Sequence, residues 1–399
     1  MILALAALVV KVFIAWNTLG TNDTVTFFQF ARFLNENSLA ELYQSTKLFN
    51  HPPLTAYYLE AIGWLHALPA APKKTFPFLL RLPGIMADLG TVFVLLAIVK
   101  REARLRPPPW AMLLFAASPV SIMVSGFHGN TDSVLVLLLA IALLMVLADH
   151  AVLCGLFLAL SCQVKIIPLL ILPIFFFYWL RRAKAASFAI PFAVTWLLFS
   201  LQPLIQTPVL FVKDVLSYGS YSGLWGVTYL LRLTGAPQFH RIGFYDLTPA
   251  QTTVATVLKL VIIAGVLLIA WRRRVLPAGM VPESLGFAWT IFFVFSPGVG
   301  PQYMVWLAPF VLLSSAKCYA ALVGASTIFL FSFYDAIAGG LPWYYARSVD
   351  ELVWMWERWT LLPWLTLIGM LIYFLRRTGS EVAGLREVDR HHTRPDPLA

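Results

Sequence analysis

Residues 126–149 read GFHGNTDSVLVLLLAIALLMVLAD, a short polar turn followed by a long apolar run. This run is close to the ~20 residues that an α-helix needs to cross a bilayer. Similar runs recur along the whole chain of 399 residues, which is 60% hydrophobic and only 12% charged. Soluble domains carry roughly twice that share of charged residues. The sequence therefore predicts an all-α polytopic membrane protein.

Basic residues indicate how the predicted helices are oriented. Lys and Arg collect on the cytoplasmic side of membrane helices, and four clusters occur here, at 100–106, 181–184, 272–274 and 376–377. Placing all four inside gives about twelve membrane helices with both termini in the cytoplasm. The helices are expected at about 1–16, 83–99, 110–125, 132–149, 151–163, 165–180, 185–201, 253–271, 284–296, 303–315, 318–334 and 359–375.

This topology places the long polar loops on the side opposite the cytoplasm, at about 17–82, 202–252 and 335–358. One membrane domain is expected over 1–376, followed by a basic, disordered tail over 377–399.

The flanking basic residues explain the formal net charge of +10, so no nucleic-acid partner is expected. The spacing of Cys, His and acidic residues favours no metal site. No cofactor is expected, and a divalent metal is allowed but not indicated.

Asp23 is the first candidate for chemistry, in the segment Thr21-Asn22-Asp23-Thr24 after the first apolar run. A carboxylate at the membrane surface can accept a proton from a hydroxyl group. The phenylalanine-rich stretch at about 24–37 predicts an amphipathic helix lying in the interface. Asp23 would then equally serve as an N-cap, and the sequence leaves both roles open.

Histidines mark two further turns on the predicted outer side. His51 precedes two prolines, which restrict its backbone, so it either contacts a phosphate or sugar oxygen or belongs to a rigid turn. His128 lies in the GFHGNTD turn together with Asp132, and Asn130 or Asp132 could cap the next helix. A loop at 218–226, rich in aromatic and small residues, is suited to stacking on sugars or to the membrane interface.

Charged and amide side chains near the predicted helix ends complete the candidates. Arg81 and Asp88 are seven residues apart on one helix face, which predicts an ion pair or a polar cavity. Lys165, between two short apolar helices, would either meet a phosphate or snorkel to the interface. Gln302 and Tyr303 follow the SPGVGP turn and carry hydrogen-bonding groups, although that turn is also compatible with a simple helix hairpin.

Five of these segments resemble those of the GT-C superfamily of integral-membrane glycosyltransferases. They are Asp23, NHPPLTAY at 50–57, the segment 118–132 that ends in GFHGNTD, Val164-Lys165, and SPGVGPQY at 296–303. The resemblance implies a GT-C-like helix bundle with an extracytoplasmic active site. It also implies inverting transfer of one hexose, mannose or glucose, from a polyprenyl-phosphate donor to a lipid-linked glycan or another extracytoplasmic acceptor.

In this family Asp23 would be the catalytic base, while other residues bind the donor phosphate and the substrate. The implied binding residues are His51, Lys165, His128, Gln302, Tyr303, Asp132 and Arg81. The implied partners are the polyprenyl-phosphate sugar, its acceptor and membrane lipids, and the implied location is a bacterial inner or plasma membrane. Two alternatives stay open, a transporter or flippase for a lipid-linked sugar and a non-catalytic membrane scaffold.

Overall fold

The computed structural model describes residues 1–216, 219–244, 246–347 and 350–392, with the side chains of 350 and 379–392 left undescribed. Its α-helices are α1 Ile2–Asn17, α2 Asn22–Glu36, α3 Leu39–Ser45, α4 Pro53–His66, α5 Thr75–Arg101, α6 Pro109–Ala116, α7 Pro119–Ser121, α8 Asp132–Leu147, α9 Ala151–Val164, α10 Leu172–Arg181, α11 Ala185–Gln206, α12 Pro208–Leu216, α13 Gly226–Leu233, α14 Pro249–Arg273, α15 Val281–Phe295, α16 Ala308–Ser314, α17 Ala316–Ala338, α18 Val353–Trp356 and α19 Leu361–His392. Two short strands, β1 Gly20–Thr21 and β2 Tyr345–Ala346, pair in parallel. The predicted all-α polytopic fold is confirmed.

Seven helical segments within the described residues are long and apolar enough to cross a membrane, and four further apolar segments are shorter. The long ones are Thr75–Arg101, Pro109–His128, Ala185–Gln206, Pro249–Arg273, Ala278–Phe295, Ala316–Ala338 and Val353–Thr378. The short ones are Ile2–Asn17, Asp132–Leu147, Ala151–Val164 and Ile167–Arg181. The expected helix at 303–315 is wrong, because a 3₁₀ turn at Pro301–Val305 precedes the seven-residue α16.

Prolines explain where two other helices depart from the expected bounds. α5 begins eight residues before the predicted start and carries Pro83 in its interior. Pro83 has no N–H, and the freed carbonyl of Leu79 accepts a hydrogen bond from the Tyr58 hydroxyl instead. The predicted helix at 110–125 is interrupted near Pro119, and a wide π-type turn, Ile122–His128, follows. Such turns are frequent at functional sites, and this one carries His128.

The predicted amphipathic helix is confirmed as α2, whose buried face is Thr24, Phe27, Phe30, Ala31 and Leu34. It packs against α4. At the C-terminus, α19 continues through the region where the sequence predicts a disordered tail. Residues 393–399 lie outside the described part of the chain.

The predicted basic clusters converge on one end of the bundle, called the basic end here. Arg101 donates to the carbonyl of Leu147, Lys184 pairs with Asp149 just beyond it, and Arg182 donates to Leu276 O. A second group at this end joins Arg273 and Arg377 through Glu283. α1, α5 and α8 each run from one end of the bundle to the other, so the polar turns lie opposite. This opposite end, formed by residues 18–66, 126–132 and 296–306, is called the loop end.

Candidate functional site

Asp23 lies at the loop end, in the first turn of α2, where its carboxylate meets the turn that follows His128. Its Oδ2 accepts a hydrogen bond from Asn130 Nδ2 at 2.7 Å and lies 3.1 Å from His128 Nε2. His128 Nδ1 is 2.8 Å from the hydroxyl of Tyr334 on α17. His128 Nε2–H donates to the carboxylate, and Nδ1 accepts from the Tyr334 hydroxyl when the ring is neutral and donates to it when the ring is charged. We call these four residues the Asp23 cluster.

Glycine explains why the chain can form this cluster. Gly129 has a φ of +86°, and a Cβ atom there would come within 2.3 Å of Thr24 Oγ1. Any other residue would be strained and would push α2 away from the turn. Thr21 fixes the same contact by donating to the carbonyl of His128 at 2.7 Å. The GFHGN segment is therefore a close-approach turn that holds α2 against the bundle.

Asp23 is not the N-cap that the sequence allowed. Thr21 occupies the cap position, and the Asp23 side chain reaches across to His128 and Asn130. The side chain keeps 38% of its surface exposed, and no described residue hydrogen-bonds to its Oδ1. Burial raises the pKa of Asp23, but the hydrogen bond and charge of His128, with the charge of Lys165, outweigh it and lower the pKa below the ordinary 3.8. The carboxylate is therefore ionised at neutral pH and can accept further hydrogen bonds.

Asp132 and Lys165 form a second, fully buried group beside the cluster. Lys165 Nζ lies 2.9 Å from both oxygens of Asp132, and both side chains are 0% exposed. Trp306 Nε1 donates to Asp132 Oδ1 at 2.6 Å. The ring of Tyr303 stacks on Trp306 at 4.0 Å and lies 5.4 Å from Lys165 Nζ. The expectation that Lys165 snorkels to the interface is wrong, because the buried carboxylate holds it inside.

His51 is buried at the loop end, with Phe27 and Phe49 against its ring. Its carbonyl accepts a hydrogen bond from Tyr43 Oη at 2.6 Å. Burial and the positive charge of Lys165 lower the pKa of His51 to about 3, with Asp23 acting in the opposite direction. His51 is therefore neutral at physiological pH, within electrostatic range of both groups.

Arg81 does not pair with Asp88. Its guanidinium is 0% exposed and donates to the Thr18 hydroxyl and to a ring of backbone carbonyls, namely those of Pro77, Ala15, Thr18, Gly126 and Phe127. Asp88 instead accepts from Lys11 Nζ, Ser121 Oγ and Ser125 Oγ, each at 2.6 Å on Oδ2. Arg81 thus joins α1 and α5 to the π-type turn.

Gln302 lies next to Tyr303 at the start of the 3₁₀ turn and is nearly buried. Its Oε1 is buried and has no hydrogen-bond donor among the described residues. Tyr303 belongs to the Lys165 group, whereas Gln302 is not joined to the Asp23 cluster by any contact between described residues.

Sequence reasoning missed three residues of the site. Asn130 was considered only as a helix cap, whereas its amide donates to Asp23. Tyr334 and Trp306 lie in apolar segments, and their polar atoms meet His128 and Asp132 across the bundle. Their position near the predicted outer helix ends is the one signal that could have indicated them.

The arrangement is suited to binding hydroxyl or ammonium groups at an ionised carboxylate. Among the described residues, no group of three His, Cys, Asp or Glu side chains is placed to hold a metal ion. Cys154 and Cys162 are buried in the apolar core. Cys318 lies in the first turn of α17, whose Tyr334 is about 24 Å further along the helix axis. Cys318 is therefore distant from the Asp23 cluster.

The fold and the site define a multi-pass integral membrane protein with a polar site at the end of its helix bundle. Residues 27–243, slightly more than half of the chain, match the family described as GPI transamidase subunit PIG-U. The chain belongs to this family. A comparison with individually curated proteins gives no match.

The family match corrects the functional expectation from sequence. The predicted hexosyltransferase, with a polyprenyl-phosphate sugar donor and a glycan acceptor, is wrong, and so is the alternative of a transporter or flippase for a lipid-linked sugar. The matched family is a subunit of a transamidase. The motifs that resembled GT-C enzymes are loop-end turns and buried polar contacts, and such features do not by themselves specify a reaction. Asp23 is accordingly not assigned as a base in sugar transfer.

Proposed function

We propose that this chain is a non-catalytic, membrane-embedded subunit of a complex that attaches a lipid anchor to proteins, and that it holds the glycolipid at its loop end. The proposal follows the family description, a GPI transamidase subunit. In such a complex the chain would work beside other subunits and a protein substrate, and its own role would require no cofactor. The single observation that carries the binding role is the exposed, ionised carboxylate of Asp23.

The geometry of Asp23 supports binding. His128 and Asn130 both contact Oδ2, so Oδ1 remains available to a ligand. Hydrogen bonds to a charged acceptor are about twice as strong as those between neutral groups. Because His128 is itself held by Tyr334 and the Gly129 turn, the carboxylate is oriented before a ligand arrives. Hydroxyl and amino groups of a sugar head group are the chemical partners that such a site accepts.

An apolar groove beside the cluster supports a lipid-linked ligand. The groove measures about 170 Å³ and is lined by Leu54, Thr55, Tyr58, Leu80, Pro83, Gly84, Thr131, Val134 and Val164. Thr131 directly follows Asn130, and Leu80 lies beside Gly129. A head group at Asp23 and an acyl chain in this groove would therefore belong to one amphiphilic molecule.

The distribution of thiols supports a subunit that binds rather than cleaves. A peptidase-type nucleophile must lie within hydrogen-bond reach of its base. Cys154 and Cys162 are buried in the apolar core, and Cys318 lies about 24 Å along α17 from Tyr334. The chemistry would then be performed by another subunit, and this chain would present the lipid.

The orientation of the chain in the membrane is part of this proposal. The basic end carries Arg101, Lys184, Arg273 and Arg377, so the positive-inside rule places it in the cytoplasm. α1 begins at the basic end and α19 runs towards it, which would put both termini there. The loop end, with Asp23, would face the opposite compartment.

The test compares binding of a synthetic glycosylphosphatidylinositol to the purified wild type and to Asp23→Asn in detergent. Loss of the charged acceptor should weaken binding about tenfold or more, because hydrogen bonds to charged groups contribute ~1.5–3 kcal/mol. Asp149→Asn is the matched control, since Asp149 is an exposed carboxylate at the basic end. Equal affinity of Asp23→Asn and wild type, with both folded, would exclude Asp23 as the binding group.

A further inference from the structure

A second cavity at the loop end lies apart from the Asp23 cluster. It measures about 120 Å³, between the start of α14, the loop at 219–222 and the turn at 296–298. Its lining includes Ser220, Ser222, Lys259 and Tyr303. The volume is below the roughly 300–1,000 Å³ of a site for a drug-sized ligand. It suits one small head-group fragment.

Lys259 is the one charged side chain among the described residues that line this cavity. It lies ten residues into α14, about 15 Å along the axis from Pro249 and about 21 Å from Arg273. Measured from Arg273 at the basic end, Lys259 therefore lies within the ~30 Å thickness of the hydrocarbon core. The side chain of Lys259 is exposed on the outside of the bundle, and no hydrogen bond or ion pair joins it to another described residue. An ammonium group at such a depth is costly without a partner and commonly marks a functional site.

Ser222 supplies an independent sign of a missing ligand. Its backbone is fixed by two hydrogen bonds with Gly243, at 2.9 and 3.3 Å. Its hydroxyl, in a residue only 3% exposed, is buried without a partner among the described residues. Leaving a buried polar atom unsatisfied costs free energy that a bound acceptor would recover. Lys259 and Ser222 therefore line one cavity with a cation and an unused hydroxyl.

The rest of the lining indicates what kind of anion fits. Much of the wall is apolar, formed by Ile167, Phe244, Leu247, Ala255, Ile262 and Phe292. Tyr303 separates the cavity from the buried Lys165, which is 5.4 Å from its ring centre. No carboxylate lines the cavity among the described residues. A cation and hydroxyls on one side and apolar walls on the other match a phosphate group carried by a lipid.

We infer that this cavity binds the phosphate group of a membrane phospholipid, with Lys259 as its cation and Ser222 as a hydrogen-bond donor. The site holds whether or not the Asp23 cluster binds a glycolipid, because the two sites share none of their polar groups. In the alternative, the Lys259 ammonium only extends towards the polar surface of the bilayer and binds no particular lipid molecule. That alternative predicts no saturable binding.

The test titrates dihexanoyl phosphatidylglycerol into the purified full chain in a neutral detergent and measures binding by thermophoresis. Saturable binding is expected, with affinity about tenfold or more lower for Lys259→Ala. Lys259→Arg should stay within about threefold of wild type, because the charge is kept, and Ser222→Ala should fall between these two. Lys213→Ala is the matched control, as Lys213 is an exposed lysine outside the cavity, and should bind as wild type.

Two further probes identify the chemistry. Dihexanoylglycerol, which lacks the phosphate, should bind wild type and Lys259→Ala alike. Inorganic phosphate that competes with the lipid would show that the site also takes the free anion, and absence of competition would show that it needs the lipid-borne group. Non-saturable uptake, or equal affinity of Lys259→Ala and Lys213→Ala, would overturn the inference. If Lys259→Ala fails to fold, the affinities measured for Ser222→Ala and Lys259→Arg still test the inference.

Discussion

An exposed charge pair at the basic end and a buried one at the loop end of the helix bundle use charge in opposite ways. At the basic end, charges are numerous and several lie at the surface, as in the Lys184–Asp149 pair, whose side chains are 40% and 65% exposed. At the loop end the Lys165–Asp132 pair is fully buried, and Asp23 is partly exposed. Surface charges mark orientation in the membrane and need little support from the fold. Buried charges require partners brought together by tertiary packing.

The loop end itself contains two carboxylates with different environments. Asp132 has both oxygens engaged by Lys165, and Trp306 donates to one of them. Asp23 has its contacts on Oδ2 alone and remains open to the surface. The first carboxylate therefore stabilises the bundle and the second is available to a ligand. Asp23 lies between Asn22 and Thr24, and Asp132 follows Asn130-Thr131. These similar contexts do not reveal the difference.

The largest expected effect comes from breaking the buried pair. Lys165→Met should lower the free energy of unfolding by about 3–5 kcal/mol, because it leaves the Asp132 carboxylate buried without its cation. The measurement is a denaturant titration of the purified protein in micelles. The double variant Lys165→Met with Asp132→Leu should recover much of the loss, since no buried charge then remains. A single variant as stable as wild type would show that the pair is solvated.

His51 should give the next largest effect, through pH. Its folded-state pKa of about 3 is below the unfolded value of 6.5. Above pH 6.5 both states are neutral, and below it the unfolded state takes up a proton that the folded state does not. Stability should therefore fall by about 1.4 kcal/mol per pH unit from pH 6.5 towards 3, which is about 2–3 kcal/mol at pH 4.5.

His51→Gln should flatten this dependence in melting curves recorded between pH 7 and 4.5. His150→Gln is the control, because His150 is an exposed histidine at the opposite end. The dependence should persist in that variant. If both substitutions leave the same slope as wild type, His51 is not buried in its neutral form.

The smallest effect is expected at the basic end. Lys184→Ala removes an exposed ion pair, and such pairs contribute little because solvent screens them. The melting temperature should stay within experimental error of wild type, at both low and high salt. A clear loss of stability would contradict this contrast, because it would show that an exposed ion pair also stabilises the fold.

The sequence predicted the parts of the fold that depend on local composition. Helix positions followed from apolar runs and agree within a few residues for α1, α8 and α9. The failures occur at prolines. Pro83 lies inside a helix because Tyr58, distant in the chain, satisfies the freed carbonyl, and no local pattern carries that information.

The candidate site was predicted only in part for the same reason. Asp23, His128, Asp132, Lys165, His51 and Tyr303 do lie at one end, as their places at helix ends indicated. Their partners did not follow from spacing. Arg81 was expected beside Asp88 but binds backbone carbonyls, and Asp88 instead pairs with Lys11, which is 77 residues away.

By itself the sequence determined the helical class, most of the apolar helical segments and the end at which the basic residues collect, because these depend on hydropathy and charge within short windows. Only the tertiary structure decided which carboxylate is buried and which is exposed. Asp23 meets His128 across 105 residues, and Asp132 meets Trp306 across 174. Contacts between segments so far apart are fixed by how the helices pack, which no local pattern encodes.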